Sequence, residues 1–186
     1  MTLVKPTDLL IAPPNMPDPR FRDKVLLVLA TGSSGSIALC LNGESDHTTD
    51  DIVEFQDDYN VAKMYCPIHW GGPVSPESIW MIHEDDWYSN NTMVLGAGIS
   101  ISSDKDMFYS LSSLDGPEKY RLVCGFASWT PGQLEAELEG SNGRSRNQSW
   151  LVTACPRLDW ILECPIEDLW ERATELCAHQ AIDSWL

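Results

Sequence analysis

The chain has 186 residues, 43% hydrophobic and 22% charged, with 12 Lys and Arg against 28 Asp and Glu for a formal charge of −16. The apolar fraction suffices for a packed core and excludes wholesale disorder, and the length suits one domain over residues 1–186. The acidity excludes direct nucleic-acid binding, because Lys and Arg on phosphates supply most of the affinity for a polyanion.

No apolar run approaches the roughly 18–20 residues of a membrane helix. Residues 1–8 carry one Lys and no apolar stretch of secretory type, so a cytoplasmic protein without membrane contact is expected. Six cysteines (Cys40, Cys66, Cys124, Cys155, Cys164 and Cys177) are scattered without a Cys-x-x-Cys pair. In a chain able to build its own core they read as reduced, mostly buried thiols.

Residues 7–12 read as a first strand, after which Pro13, Pro14, Pro17 and Pro19 impose an irregular extended segment. Residues 24–30 form an apolar run suited to a strand buried on both faces, and residues 36–41 are its hairpin partner across a turn at 31–35. Residues 44–58 hold seven carboxylates and no Lys or Arg, with a short helix predicted at 50–55, opened by Thr48 or Thr49. Strands at 68–71 and 79–83 bracket a turn-rich connection, Gly72-Pro73-Val74-Ser75-Pro76. Ser103 with Asp106 predicts a helix start, Met107, Leu111 and Leu114 recur at helical spacing, and Gly116-Pro117 stops it.

Residues 120–126 read as another strand. Thr130-Pro131-Gly132-Gln133 is a fuller capping box, with Thr130 as N-cap, Pro131 at the first helical position and Gln133 reaching back; Leu134 and Leu138 face the core. A flexible loop at 141–148 precedes a late strand at 150–154. The strongest helix is predicted at 165–178, where Ile166, Leu169, Trp170, Ala173 and Cys177 form one apolar stripe. Without a steady βαβ alternation, the fold class is α+β: a single domain with a twisted mixed or antiparallel sheet, partly curled toward a barrel and flanked by a few helices.

Two turns stand out. Gly71-Gly72-Pro73 permits a tight bend after a strand, and its N–H groups suit an anion or a partner's carbonyl; the plainer reading is the bend alone. Trp129 to Gln133 joins a strand to a helix mouth, where free N–H groups favour negative charge; the plainer reading is capping with a packed indole. If both turns meet at one end of the sheet, they form a small pocket.

Gly71-Gly72-Pro73-Val74 and residues 125–138 (G-F-A-S-W-T-P-G-Q-L-E-A-E-L) resemble the YqgE/AlgH family of small bacterial proteins. Met16-Pro17-Asp18-Pro19-Arg20-Phe21 is similar to the family's D-P-x-F element. Leu41-Asn42, Trp150-Leu151 and Leu169-Trp170-Glu171-Arg172-Ala173 also fit, so the match spans nearly the whole chain in order. Departures are Gly43-Glu44, where Arg-Pro is more usual, and Ser128, where Gly is common. The resemblance implies a cytoplasmic α+β domain with a mixed β core and no established enzymatic activity. One branch of the family is associated with transcriptional regulation of exopolysaccharide synthesis, without a recognisable DNA-binding motif.

Catalytic signals are weak. Gly32-Ser33-Ser34-Gly35 lacks the Gly-Lys-Ser/Thr of a phosphate loop, and Gly96-Ala97-Gly98 has Ile101 where a dinucleotide fingerprint needs Gly or Ala. Cys66, His69 and His83 have ligand spacing but lack a fourth ligand. Glu84-Asp85-Asp86 suits an acid pair or a cation site, and reads more simply as a solvated turn. Thiols at Cys40 and Cys124 lie in apolar strands, where burial raises the pKa and lowers reactivity. Neither catalytic residues, a metal nor a cofactor is expected. The function predicted is a non-enzymatic protein-binding or regulatory module, with Asp18, Gly71, Gly72, Pro73, Trp129, Pro131, Gly132 and Gln133 as candidate contacts for an unidentified protein partner. The alternatives are a small-molecule, cofactor-binding or cryptic enzymatic role at the same two turns, with a small anionic ligand as occupant, and an acidic nucleic-acid mimic built on residues 44–58.

Overall fold

Val25 to Leu29 are all buried, and each such side chain contributes roughly 1.5–3 kcal/mol of burial free energy; this run is the centre of β2 (Val25–Gly32). The computed structural model describes residues 4–51, 65–139 and 150–183. The predicted loop at 141–148, and the predicted helix at 50–55 beyond Asp51, lie outside the described residues. A one-turn helix, Thr49–Asp51, occupies the start of that acidic stretch.

β2 pairs antiparallel with β1 (Asp8–Ile11) and with β3 (Gly35–Cys40). β1 continues outward to β9 (Leu151–Ala154). On its other side β3 meets the last three residues of β8 (Tyr120–Trp129), which extends three residues past the predicted end. β8 then pairs along β5 (Val74–Glu84), followed by β7 (Ile99–Ser102) and β6 (Thr92–Gly96). A short β4 (Ile68–Trp70) lies parallel to β8. Among the described residues these nine strands form one mixed, curled sheet, and the expected α+β architecture is the one observed.

Three apolar clusters occupy its two faces. The largest sets Leu9, Leu27, Leu39, Ile82, Ile101 and Val123 against α3 (Leu158–Leu162) and α4 (Leu169–Asp183). The second gathers Phe21, Leu26, Val28, Ala127, Trp129 and Trp150 under α2 (Gln133–Leu138). The third packs Met81, Leu122 and Cys124 against α1 (Asp106–Ser112). The six cysteines are all free, four buried and two half-buried, and burial pushes the Cys40 thiol up to about 12.

Several boundaries differ from expectation, each for a local reason. The segment 72–76 is not a turn throughout: the bend is confined to Gly71–Pro73, and β5 begins at Val74 with an irregular register up to Ile79. α1 is not opened by Ser103. Lys105 is the N-cap residue and makes no side-chain cap; the Asp104 carboxylate just before it accepts from the Asp106 N–H at 2.9 Å instead. Leu114 is not on the buried stripe; it takes a left-handed φ of 61° after the helix and is 89% exposed. α2 starts at Gln133, with left-handed Gly132 at the N-cap, so Thr130 and Pro131 belong to the preceding turn. Residues 165–168 form a turn and α4 starts at Leu169, leaving Ile166 outside the helix. The β6–β7 hairpin and α3 were not predicted.

Candidate functional site

The two singled-out turns are neighbours, and both rest on β8. Gly71 follows β4 and enters the wedge where β3 and β8 diverge. Its N–H donates to the Cys124 carbonyl at 2.7 Å and its carbonyl accepts from the Cys40 N–H at 2.8 Å, so one residue joins three strands. Gly72, at φ 155°, lies on the β8 backbone: a Cβ there would sit 2.1 Å from the Phe126 carbonyl carbon. Opposite, Gly125 takes φ 72°, and its own Cβ would lie 2.3 Å from the Gly72 oxygen. The glycines thus make room for a backbone-to-backbone contact. Gly71 and Gly72 are buried, and Pro73 is exposed.

Three residues past that contact, β8 ends at Trp129. The Trp129 indole is buried and donates to Glu137 Oε2 at 2.9 Å, and the Trp150 indole donates to the same oxygen at 3.0 Å. Glu137 Oε1 accepts from Gln133 Nε2 at 3.1 Å, while Gln133 Oε1 accepts from the Thr130 N–H at 3.0 Å. The reach of Gln133 back to Thr130 is present although Thr130 is not the N-cap. Pro131, Gly132 and Gln133 are exposed.

The Asp18 element joins the same cluster. The Asp18 carboxylate caps a one-turn helix by accepting from the Arg20 N–H at 3.0 Å and pairs with Arg20 Nη2 at 2.6 Å. Those hydrogen bonds hold its carboxyl below the usual carboxylate range. Phe21 then packs 5.8 Å from both Trp70 and Trp150, and Trp150 stands edge-on to Trp129 at 6.2 Å. Of the segments behind the family resemblance, Leu41 and the 169–173 stretch belong to the larger core on the other face, while the Asp18 element, the Trp129 turn and Trp150 converge on this aromatic cluster beside the diglycine corner. Their backbone donors and indoles are largely taken up within it.

Two surface clefts lie elsewhere. One, of about 240 Å³, runs between Thr48, Asp51, Pro76 and Glu77 above Ile68 and Cys124. The other, of about 350 Å³, lies between Glu84–Asp85, the β6–β7 turn and the start of α3. Glu84 and Asp85 of the predicted solvated turn thus form one wall of a cleft. Only the placement of α3, distant in sequence, reveals it.

A polar chain links β5, β7 and β6. His83 Nδ1 donates to the Glu84 carbonyl at 2.6 Å, which leaves Nε2 to accept from the Ser102 hydroxyl at 2.8 Å; Ser102 in turn meets Thr92 Oγ1 at 2.7 Å. This is the relation of a nucleophile to its base, but His83 and Ser102 are both 0% exposed, so no substrate reaches them. Cys66, His69 and His83 do not converge: Cys66 Sγ lies 3.1 Å from Tyr120 Oη, and no group of three metal-binding side chains occurs among the described residues.

Burial lowers the pKa of His83 below its ordinary 6.5, opposed by the Glu84 carbonyl and the charges of Asp86 and Glu84. Burial and the nearby Arg121 lower His69 in the same way. The unfolded chain therefore binds protons that the folded chain does not. Stability is fully present above about pH 6.5 and declines as the pH falls toward the folded pKa values. The expected slope is up to about 1.4 kcal/mol per pH unit for each histidine. Denaturant midpoints measured from about pH 7.5 to about pH 5.5 will fall, and His83→Gln will flatten that fall. A midpoint independent of pH over this range contradicts the assignment.

The comparisons with known proteins agree with this architecture. The AlgH-like family model matches residues 9–181. A UPF0301 protein of Xylella fastidiosa is 30% identical over 176 residues, covering 93% of this chain and 88% of the relative. A UPF0301 protein of Vibrio vulnificus is 29% identical over 174 residues, with 90% and 88% covered. The solution structure of the AlgH protein from Pseudomonas aeruginosa superposes with a TM-score of 0.71 at 28% identity, covering 95% of this chain and 92% of that one. A crystal structure from Corynebacterium diphtheriae shares the fold at a TM-score of 0.66 and 20% identity, with 92% and 86% covered. No helix among the described residues is long and apolar enough to cross a membrane. With the family model covering nearly its whole length, the chain belongs to the AlgH-like family.

Proposed function

We propose that this chain is a non-enzymatic protein-binding or regulatory module that takes up an extended segment of a partner along the outer edge of β6. The observation that carries this reading is the character of that edge. Thr92-Met93-Val94-Leu95-Gly96 contains no charged residue and no Pro, pairs only with β7 among the described residues, and exposes Met93 by 39% and Val94 by 55%. Sheet edges are ordinarily blunted by charges, Pro or a covering element, because unpaired N–H and C=O groups attract another strand. At the opposite edge α4 packs on β9, with the Cys177 thiol 3.7 Å from the Val152 carbonyl. β-Strand addition supplies main-chain hydrogen bonds for affinity and side-chain contacts for choice. The formal charge of −16 favours a partner with basic flanks.

The test is photo-crosslinking from a reactive residue placed at Val94, with Leu151 on β9 as the control position. The expected result is a discrete adduct from position 94 alone, reduced at least tenfold when Met93→Lys is added. Equal adducts from both positions, or adducts indifferent to Met93→Lys, reject strand addition at β6.

A further inference from the structure

We propose that the cleft between the β6–β7 turn and the start of α3 binds a small zwitterion of the α-amino-acid class, its ammonium held by Glu84 and Asp85 and its carboxylate by Arg157. The inference does not depend on a protein partner at β6.

The cleft's charged groups differ in how far each is already engaged. Asp159 is committed: Lys119 Nζ donates to its Oδ1 at 2.6 Å, and Arg157 Nη2 donates to its Oδ2. These two cations, Lys119 first, hold the Asp159 carboxyl below its usual range. One oxygen of Glu84 is committed as well, accepting the Lys119 backbone N–H at 2.9 Å. The Asp85 carboxylate has no hydrogen-bond or ion-pair partner among the described residues, although its backbone carbonyl accepts from Tyr88 Oη at 2.6 Å. Arg157 is 72% exposed, and a guanidinium carries five donors, of which Asp159 takes one.

What remains is a carboxylate wall at the end of β5 and a guanidinium at the start of α3, with buried Leu158 at the edge of the space between. An isolated anion meets two carboxylates there, and an isolated cation meets the guanidinium. A compact ligand with one charge of each sign satisfies both walls. The volume of about 350 Å³ is at the low end for small-molecule sites and suits a ligand of amino-acid size. Because Glu84 and Asp85 outnumber the one guanidinium, which already shares one donor with Asp159, a basic side chain is preferred over a neutral one and a neutral one over an acidic one.

The experiment is an amide chemical-shift titration of the intact protein with lysine, alanine, glutamate, methylamine and acetate. Expected are shifts centred on Asp85, Gly98 and Arg157, strongest with lysine, weaker with alanine and weakest with glutamate, methylamine or acetate alone. Asp85→Asn and Arg157→Gln both change exposed side chains; each is expected to weaken lysine binding at least tenfold while the rest of the spectrum is unchanged. No shift in the cleft at about 10 mM lysine, well above a millimolar dissociation constant, overturns the proposal. So does an equal response to methylamine or acetate, which marks simple ion association, and so does lysine binding that both variants retain.

Discussion

Gly72→Ala is expected to cost about 2–6 kcal/mol, a large part of the 5–15 kcal/mol that holds a domain of this size. Two effects add. The new Cβ would lie 2.1 Å from the Phe126 carbonyl carbon and 2.4 Å from the Ala127 nitrogen; these are backbone atoms of β8, which cannot swing aside as a side chain can. Overpacking of this kind typically costs about 1–3 kcal/mol, and a φ near 155°, reached readily only by glycine, adds about 1–3 kcal/mol. Gly125→Ala, which would place its Cβ 2.3 Å from the Gly72 oxygen at φ 72°, is expected to behave alike. Gly32→Ala, with nothing within 4 Å of its Cβ, is the control and should stay within about 0.5 kcal/mol of the parent. Denaturant unfolding reads all three. A Gly72→Ala midpoint equal to that of Gly32→Ala would show that β8 can yield at this contact. The expected difference marks the diglycine corner as a joint between strands, which is why partner binding is better sought at the β6 edge.

What the sequence made legible follows the range of the interactions involved. The β2–β3 hairpin and the Gln133-to-Thr130 contact are local, and residue type alone predicts them. The α+β class was equally readable from the absence of a βαβ rhythm. Gly71-Gly72 was legible as a tight bend, but its reason, Gly125, lies far along the chain and is seen only in the wedge. The β6–β7 hairpin escaped because its first strand is a partly exposed edge without clean alternation, joined through Gly96-Ala97-Gly98, all at positive φ. α3 is only five residues long, too short for a helical period to register, so the cleft it closes over Glu84 and Asp85 was invisible. The Trp129–Glu137–Trp150 bridge was half visible: the packed indole was expected, while the shared carboxylate depends on where Trp150 arrives.

Arg121 is the other position where a single substitution should be severe, and α3 should feel it first. Its guanidinium is buried, and no carboxylate among the described residues pairs with it. Nη1 donates to the Leu41 carbonyl at 2.9 Å, and Nη2 donates to the Ile161 and Cys164 carbonyls at 3.2 and 3.4 Å. Burial lowers its pKa, yet an arginine stays charged, so the three carbonyls are its main compensation. One side chain on β8 thereby ties the end of β3 to the C-terminal end of α3. Arg121→Met keeps length and apolar stem but leaves those carbonyls without this donor, at an expected cost of about 2–5 kcal/mol. Arg121→Lys separates two explanations. If charge alone mattered, lysine would restore most of the loss. A single ammonium cannot span acceptors on two segments as a planar fork does, and it is costlier to desolvate, so lysine is expected to restore little. Amide hydrogen exchange supplies the local readout: in both variants protection across Leu158–Leu162 should fall well before that of Val25–Leu29 in β2. A uniform loss, or full rescue by lysine, would place the role of Arg121 in its charge, not in its bridge. Because Arg157 and Asp159 lie at the opposite end of α3, loosening that helix should also weaken the zwitterion binding proposed for the neighbouring cleft, even though Arg121 itself does not line it.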